Sequence, residues 1–240
     1  MLREILGKRR RERSALLSAA TACARWGWPV VPGIGIAAWA GTCGCGQDDC
    51  PLPGAHPDTP PPPDPDTPVL PRTAGSARPP LMAASADERM VRWWWSRFPD
   101  APVVLATGVR VAALSVPAEA GVRALRQLDT LGVRTGPVTV APGRYGFLVR
   151  PYALDELADL LDRYGLNRYG SVPFTLRCHG PGGFLALPPS RVPGGPLRWA
   201  VAPRPGDVSG ASAPWLPHVS DLVRTLVDTC HSVTHVRRSA

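Results

Sequence analysis

The sequence predicts an α+β protein, a mixed sheet with helices packed on it, and three observations carry that expectation. Strand-like apolar runs alternate with amphipathic helical segments along the chain. Two of the runs, PVTVA (137–141) and YGFLVR (145–150), are joined by a hairpin-like Pro-Gly-Arg turn. The chain has 240 residues, 44% of them apolar, which is enough for a core.

The elements follow in order. Residues 1–12 carry Lys8, Arg9, Arg10 and Arg11 and predict a basic flexible tail, either solvated or a phosphate-binding arm. A single domain is expected over 13–232, with a second flexible tail at 233–240. Residues 13–27 place Ala15, Leu16, Ala19, Ala20, Cys23 and Trp26 near helical spacing, and Gly27 and Pro29 end that helix. WPVVPG then reads as a short buried strand. An insertion at 41–82 combines Cys and His with a Pro-rich stretch. Residues 51–80 alone hold twelve prolines, which removes too many N–H donors for regular structure.

Order returns at SADERMVRWWWSRFPDA. Ser85 and Glu88 have the spacing of a capping box, and Met90, Trp93, Trp94 and Phe98 make an apolar face. Trp93–Trp95 also suit a base-stacking platform. Three consecutive residues point three ways on a helix, so at least one Trp must leave the core. PVVLATG (102–108) and VRVAALSV (109–116) read as strands. A helix follows on Val122, Leu125, Leu128 and Leu131, and another at 153–164 on Leu154, Leu157, Leu160 and Leu161. PFTLR (173–177), GGFLALPPS (182–190) and PLRWAVAP (196–203) continue the strands, and a helix at 215–231 closes the chain.

The formal charge of +8 favours anionic partners, nucleic acid first. The excess comes almost wholly from Arg in a chain rich in Ala, Gly and Pro, which a GC-rich genome also produces. No secretory signal or span of roughly 18 apolar residues is evident, so the expectation is a cytoplasmic chain without membrane contact. Its six cysteines then read as thiols or metal ligands rather than disulfides.

The stretch CGCGQDDCPLPGAH (43–56) gathers Cys43, Cys45, Cys50 and His56. Zinc prefers such a set, although Cys-x-Cys is tighter than usual spacing and incidental thiols are the other reading. Four protein ligands leave no place for water, so a bound zinc would be structural, a clip on a segment without a core.

Several segments together resemble one family. WGWP (26–29) with Val30 and Val31, DERMVRWWWSRFPDAPVVLATG (87–108), and GGFLALPPS followed by PLRW (196–199) are similar to segments of the bifunctional DNA primase/polymerase (Prim-Pol) domain of the archaeo-eukaryotic primase superfamily. The Cys/His insertion is similar to that of short actinobacterial members. The resemblance covers most of 14–203 and implies a Prim-Pol-like fold and nucleotidyl transfer with Mg or Mn. Active members carry an Asp-x-Asp pair, then a His, then another Asp. By resemblance, those positions here are Ser115 and Pro117, Tyr145 or Gly146, and Thr175. No Asp or Glu occurs at 101–118, 137–154 or 163–206.

The expectation is therefore a primase/polymerase-like domain without catalytic residues that binds DNA or a nucleotide, with Mg or Mn needed only if it is active. A helicase or replication protein in trans is a further possible partner. Arg144, Arg150, Arg177, His179 and Arg198 are the candidate phosphate contacts, or else ordinary strand-end charges. Two rivals stand beside it: an active polymerase with relocated ligands such as Glu119 with Asp155 or Asp207, and a protein-interaction module with no nucleic-acid role.

Overall fold

A computed structural model describes residues 2–36, 41–47, 49–58, 78–166, 172–204 and 213–238. The central Pro-rich stretch, 59–77, lies outside the described residues. The first helix, α1 (Leu2–Arg25), begins well before residue 13, so the basic residues expected on a flexible tail lie on a continuous helix. Its C-terminal half buries Ala20, Cys23 and Ala24, while Ile5 and Leu6 stay exposed. Strand β1 (Val30–Pro32) follows, and then helix α2 (Glu88–Arg97).

Helix α2 is capped by Asp87, whose carboxylate accepts from the Arg89 and Met90 amides. Ser85 instead accepts from the Asp87 amide at 3.0 Å, so the expected capping box does not form. Asp87 takes the role because it lies one residue before the helix, where a side-chain oxygen reaches the first free N–H groups. The buried face is Val91, Trp94 and Trp95, with Met90 and Trp93 outside. The Trp95 indole donates to the Ala101 carbonyl at 3.1 Å, which lets a polar N–H sit in the core. Arg13 holds Asp100 through two hydrogen bonds, tying α1 to the end of this segment.

The strands form three sheets, and each pairing is antiparallel among the described residues, where a mixed sheet was expected. One sheet joins β1, β2 (Val103–Ala106) and β7 (Phe184–Leu187). The larger has the order β10-β4-β5-β3-β6. Its members are β3 (Ala112–Pro117), β4 (Val138–Val140), β5 (Arg144–Val149), β6 (Arg177–His179) and β10 (Arg198–Val201). A two-stranded ribbon, β8 (Arg191–Val192) with β9 (Gly195–Pro196), completes the set. The strand expected at 173–177 is displaced: residues 174–175 turn, and pairing starts at Arg177.

Helices α3 (Ala118–Thr130), α4 (Leu154–Arg163) and α5 (Val219–Arg238) supply the cover of the larger core. That core gathers Leu114, Val116, Phe147 and Val149 from the sheet with Leu128, Leu157, Leu222 and Leu226 from the helices. A second core holds Trp28, Trp94, Trp95, Val103, Leu105 and Leu187, and Leu148 reaches it from β5. The expected apolar stripe of α3 is rotated. Ala120, Gly121, Ala124 and Leu128 face inward, whereas Val122 and Leu131 are exposed. Small residues are chosen because the helix lies almost on the sheet. On α4 the buried pair is Leu157 and Leu160, with Leu154 outside. No helix among the described residues is long and apolar enough to cross a membrane.

A Cβ on Gly121 would overlap the Tyr145 ring carbons of β5. Gly121→Ala should therefore cost about 1–3 kcal/mol, because a packed helix-sheet contact has no room to give. Denaturant titration should show a lower midpoint at unchanged slope, and unchanged stability would disprove this close approach.

Candidate functional site

Strand pairing decides which side chains meet. In a strand, residues two apart share a face. Strand β3 sets Ser115 opposite Gly146 and Pro117 opposite Arg144 on one side, and Ser115 opposite Arg177 and Ala113 opposite His179 on the other. One sheet face therefore presents Ser115, Pro117, Arg144, Gly146, Arg177 and His179. The opposite face carries Leu114, Val116 and Phe147 into the core.

A polar cluster forms on the first face. Ser115 Oγ lies 2.9 Å from His179 Nε2. Arg144 donates from Nη2 to the Ser115 carbonyl at 2.6 Å, to Ser115 Oγ at 3.1 Å and to the Thr175 carbonyl at 2.8 Å, and from Nε to Ser115 Oγ at 3.3 Å. Arg can only donate, so the Ser115 oxygen accepts from it and directs its own proton to His179. That requires an unprotonated Nε2. Burial first, then the positive Arg144 and Arg177, push the His179 pKa down to about 4, against an opposing backbone contact at Phe184. Burial, and then Arg177, bring the Arg144 guanidinium down to about 10.

The candidate residues divide on this geometry. Gly146, rather than Tyr145, shares the face of Ser115. A side chain starting at Gly146 would meet Thr139 Oγ1 at 2.6 Å and Leu185 Cδ2 at 3.1 Å, so this position is closed by packing. Thr175 sits in the turn before β6 and offers only its carbonyl to Arg144; the position opposite Ser115 belongs to Arg177. Arg150 leaves the cluster, because its Nε donates to the Leu216 carbonyl at 3.0 Å and holds the approach to α5. Arg198 pairs with Val140, in register with Tyr145, and so lies on the opposite side of the sheet. There it borders an open pocket with Glu119 and Tyr145. Glu119 is bound to Arg123 at 2.8 Å, and Asp155 accepts from the Glu156 amide at the start of α4. Asp207 is outside the described residues.

The second site is the cysteine cluster. The segment after β1 pairs with both ligand-bearing stretches, Ile34 with His56 and Ile36 with Cys43. Donor atoms of Cys43, Cys45, Cys50 and His56 all lie within 4.8 Å of one another. His56 Nε2 is 3.2 Å from Cys43 Sγ and 3.4 Å from Cys50 Sγ, close to the roughly 3.5 Å edge of a tetrahedral zinc site. His56 Nδ1 bonds the Pro57 carbonyl at 2.7 Å, so the proton sits there and the Nε2 lone pair faces the sulfurs. Burial raises the Cys43 thiol, but the Gly54 and Cys45 backbone amides and then His56 outweigh it and bring it to about 7. Burial and the two neighbouring thiols push Cys50 up to about 11. Three sulfurs this close ionise together only around a cation. The residues therefore fit a metal such as zinc, which would staple the loop.

Sequence reasoning named the four cysteine-cluster residues and Ser115, Gly146, Arg144, Arg177 and His179, and the structure places each set together. It did not foresee the Ser115–His179 bond or the Arg144 bridge, which depend on register. Because the folded His179 pKa lies below the ordinary value near 6.5, the unfolded chain takes up the proton first, and this group lowers stability as pH falls through that window. His179 ring signals should stay those of neutral imidazole from pH 8 to about 5 in an NMR titration. A midpoint near 6.5 would refute the assignment.

The family model for "Bifunctional DNA primase/polymerase, N-terminal" (Prim-Pol) matches residues 19–215. No curated protein matches the chain, and no solved structure does. The matched span takes in the described strands, the cysteine cluster and the polar sheet face but ends before α5, and the chain belongs to the bifunctional DNA primase/polymerase N-terminal (Prim-Pol) family.

Proposed function

We propose that this primase/polymerase-like domain has lost nucleotidyl transfer and binds phosphate-bearing ligands, nucleic acid or nucleotide, on the sheet face of Ser115 and Arg144. The observation that carries the reading is the absence of any carboxylate from that face. None of the described strands contains Asp or Glu. Divalent ions in phosphoryl transfer need anionic oxygen donors, and by the resemblance the corresponding positions Ser115, Pro117, Gly146 and Thr175 hold two hydroxyls, a proline and a glycine. A relocated ligand set finds no support, since Glu119 and Asp155 are each engaged locally.

Cys43, Cys45, Cys50 and His56 supply a full set of four donors, so zinc there would hold structure and activate no water. It would fix the loop that the Ile34–Ile36 segment also pairs with. It stands apart from the sheet face and takes no part in ligand chemistry.

Primer extension with deoxynucleotides and either Mg²⁺ or Mn²⁺ should give no product. Product that depends on a defined residue of this chain would overturn the loss of catalysis. Fluorescence anisotropy with single-stranded DNA should show binding that weakens about tenfold or more between roughly 50 and 200 mM salt. Absence of binding even at low salt would favour a protein-interaction role. Metal analysis should find one zinc per chain, with marked loss in Cys50→Ser. Full retention in that variant would break the four-ligand assignment.

A further inference from the structure

We propose that the Arg144 guanidinium takes the role that divalent ions have in active members, and that together with Arg177 it binds a dianionic phosphate monoester without metal. This rests on the reading of the sheet face as a phosphate-binding surface, and adds what kind of phosphate it selects and how.

The geometry prepares Arg144 for an anion. It is half-buried, and its hydrogen bonds to Ser115 and Thr175 run from Nε and Nη2, so none of them uses Nη1. These bonds fix the plane of the guanidinium before any ligand arrives, and a preorganised fork loses little freedom on binding. No carboxylate pairs with it among the described residues. Arg177 lies on the same face across β3, and its like charge acts on Arg144. Two cations drawn together in a partly desolvated place are costly unless an anion joins them.

Burial then orients the site. Ser115 is buried, Arg144 and His179 are half-buried, and Arg177 is exposed. The cluster therefore opens towards Arg177, and a ligand arriving from solvent meets both guanidinium groups. The neutral His179 holds the Ser115 proton away from Arg144, which keeps the serine oxygen as an acceptor for the guanidinium. A divalent ion finds only positive and neutral groups on this face.

Two positive groups match a doubly charged ligand. A phosphate monoester has a second pKa near 6 and carries close to two negative charges at neutral pH. An internal phosphodiester of a nucleic-acid strand carries one. The shared chemistry, a terminal phosphate, has two sources: the end of a free nucleotide's phosphate chain, or a 5′-phosphorylated DNA end.

Calorimetric titration of the full chain in EDTA tests this, using dATP and a single-stranded oligonucleotide with a 5′-phosphate or a 5′-hydroxyl. At least one terminal-phosphate ligand should bind in EDTA, and added Mg²⁺ should not strengthen it. Whichever of dATP and the 5′-phosphorylated strand binds identifies the source. Arg144→Gln should weaken binding by about tenfold or more, the loss typical of a charge-assisted hydrogen bond. Arg144→Gln also removes a bridge between β3 and the turn before β6, so Arg177→Gln, an exposed position outside that bridge, is measured beside it. Arg177→Gln should keep the wild-type circular dichroism spectrum and lose several-fold in affinity. Binding that EDTA abolishes, or affinity unchanged in Arg177→Gln, overturns the proposal. If the 5′-hydroxyl strand binds as tightly as the phosphorylated one and both variants behave as wild type, this site falls while phosphate binding by the domain stands. If no phosphate ligand binds at any salt concentration, both readings fall.

Discussion

Strand β3 is held from both sides, by β5 and by β6, and its two-residue period divides the molecule in two. Leu114 and Val116 go one way, into a core closed by α3 and α5. Ser115 goes the other way, into the only polar cluster of the described sheet that brings Arg and His side chains together. A slip of β3 by one residue would turn Leu114 and Val116 out of this core and put Ser115 into it, and the lost apolar burial forbids it. The register is thus enforced by the core, and the site inherits it.

The same sheet face carries hydroxyl, guanidinium and imidazole groups and, among the described strands, no carboxylate. Catalysis of nucleotidyl transfer needs acids held close together in spite of their repulsion, which metal ions relieve. On this face the space beside Ser115 is filled by other side chains. Leu185 packs close to Gly146. Arg144 folds onto Ser115 and Thr175 and brings a fixed positive charge in place of an exchangeable one. His179 stays neutral through burial beside two guanidinium groups, so it serves as a hydrogen-bond partner and not as a further charge.

The cysteine cluster belongs to a different economy of structure. Gly44 donates its amide to the Gly35 carbonyl at 2.9 Å and Ile34 to that of His56 at 2.8 Å, so the loop is anchored to the strand end through backbone bonds. Apart from Cys43, its ligands are partly exposed, and the segment has little apolar surface of its own. A metal held there would supply the cross-link that a small loop cannot obtain from burial. Its position on the chain makes it conspicuous in sequence, while its chemistry keeps it away from ligand turnover.

Much of this was legible in the residues. Segment-by-segment resemblance and the apolar periods gave the α+β class, the helix positions and the family. Close spacing of three cysteines and a histidine gave the Cys/His group that could hold a metal, because local side chains need only a bending backbone to converge. The absence of acid across the strands needed no structure at all. Errors fell where tertiary packing overrides local pattern. Helix α3 turns Ala120, Gly121 and Ala124 inward because the sheet is too near for Val122. Asp87, not Ser85, caps α2. Arg150 and Arg198 are strand residues of the expected kind, yet one braces the approach to α5 and the other faces the far side of the sheet. The sequence by itself determined that the strand segments carry no Asp or Glu; the tertiary structure alone decided which cations share a face, because β3, β5 and β6 are distant in the chain and only their register brings Ser115, Arg144, Arg177 and His179 together.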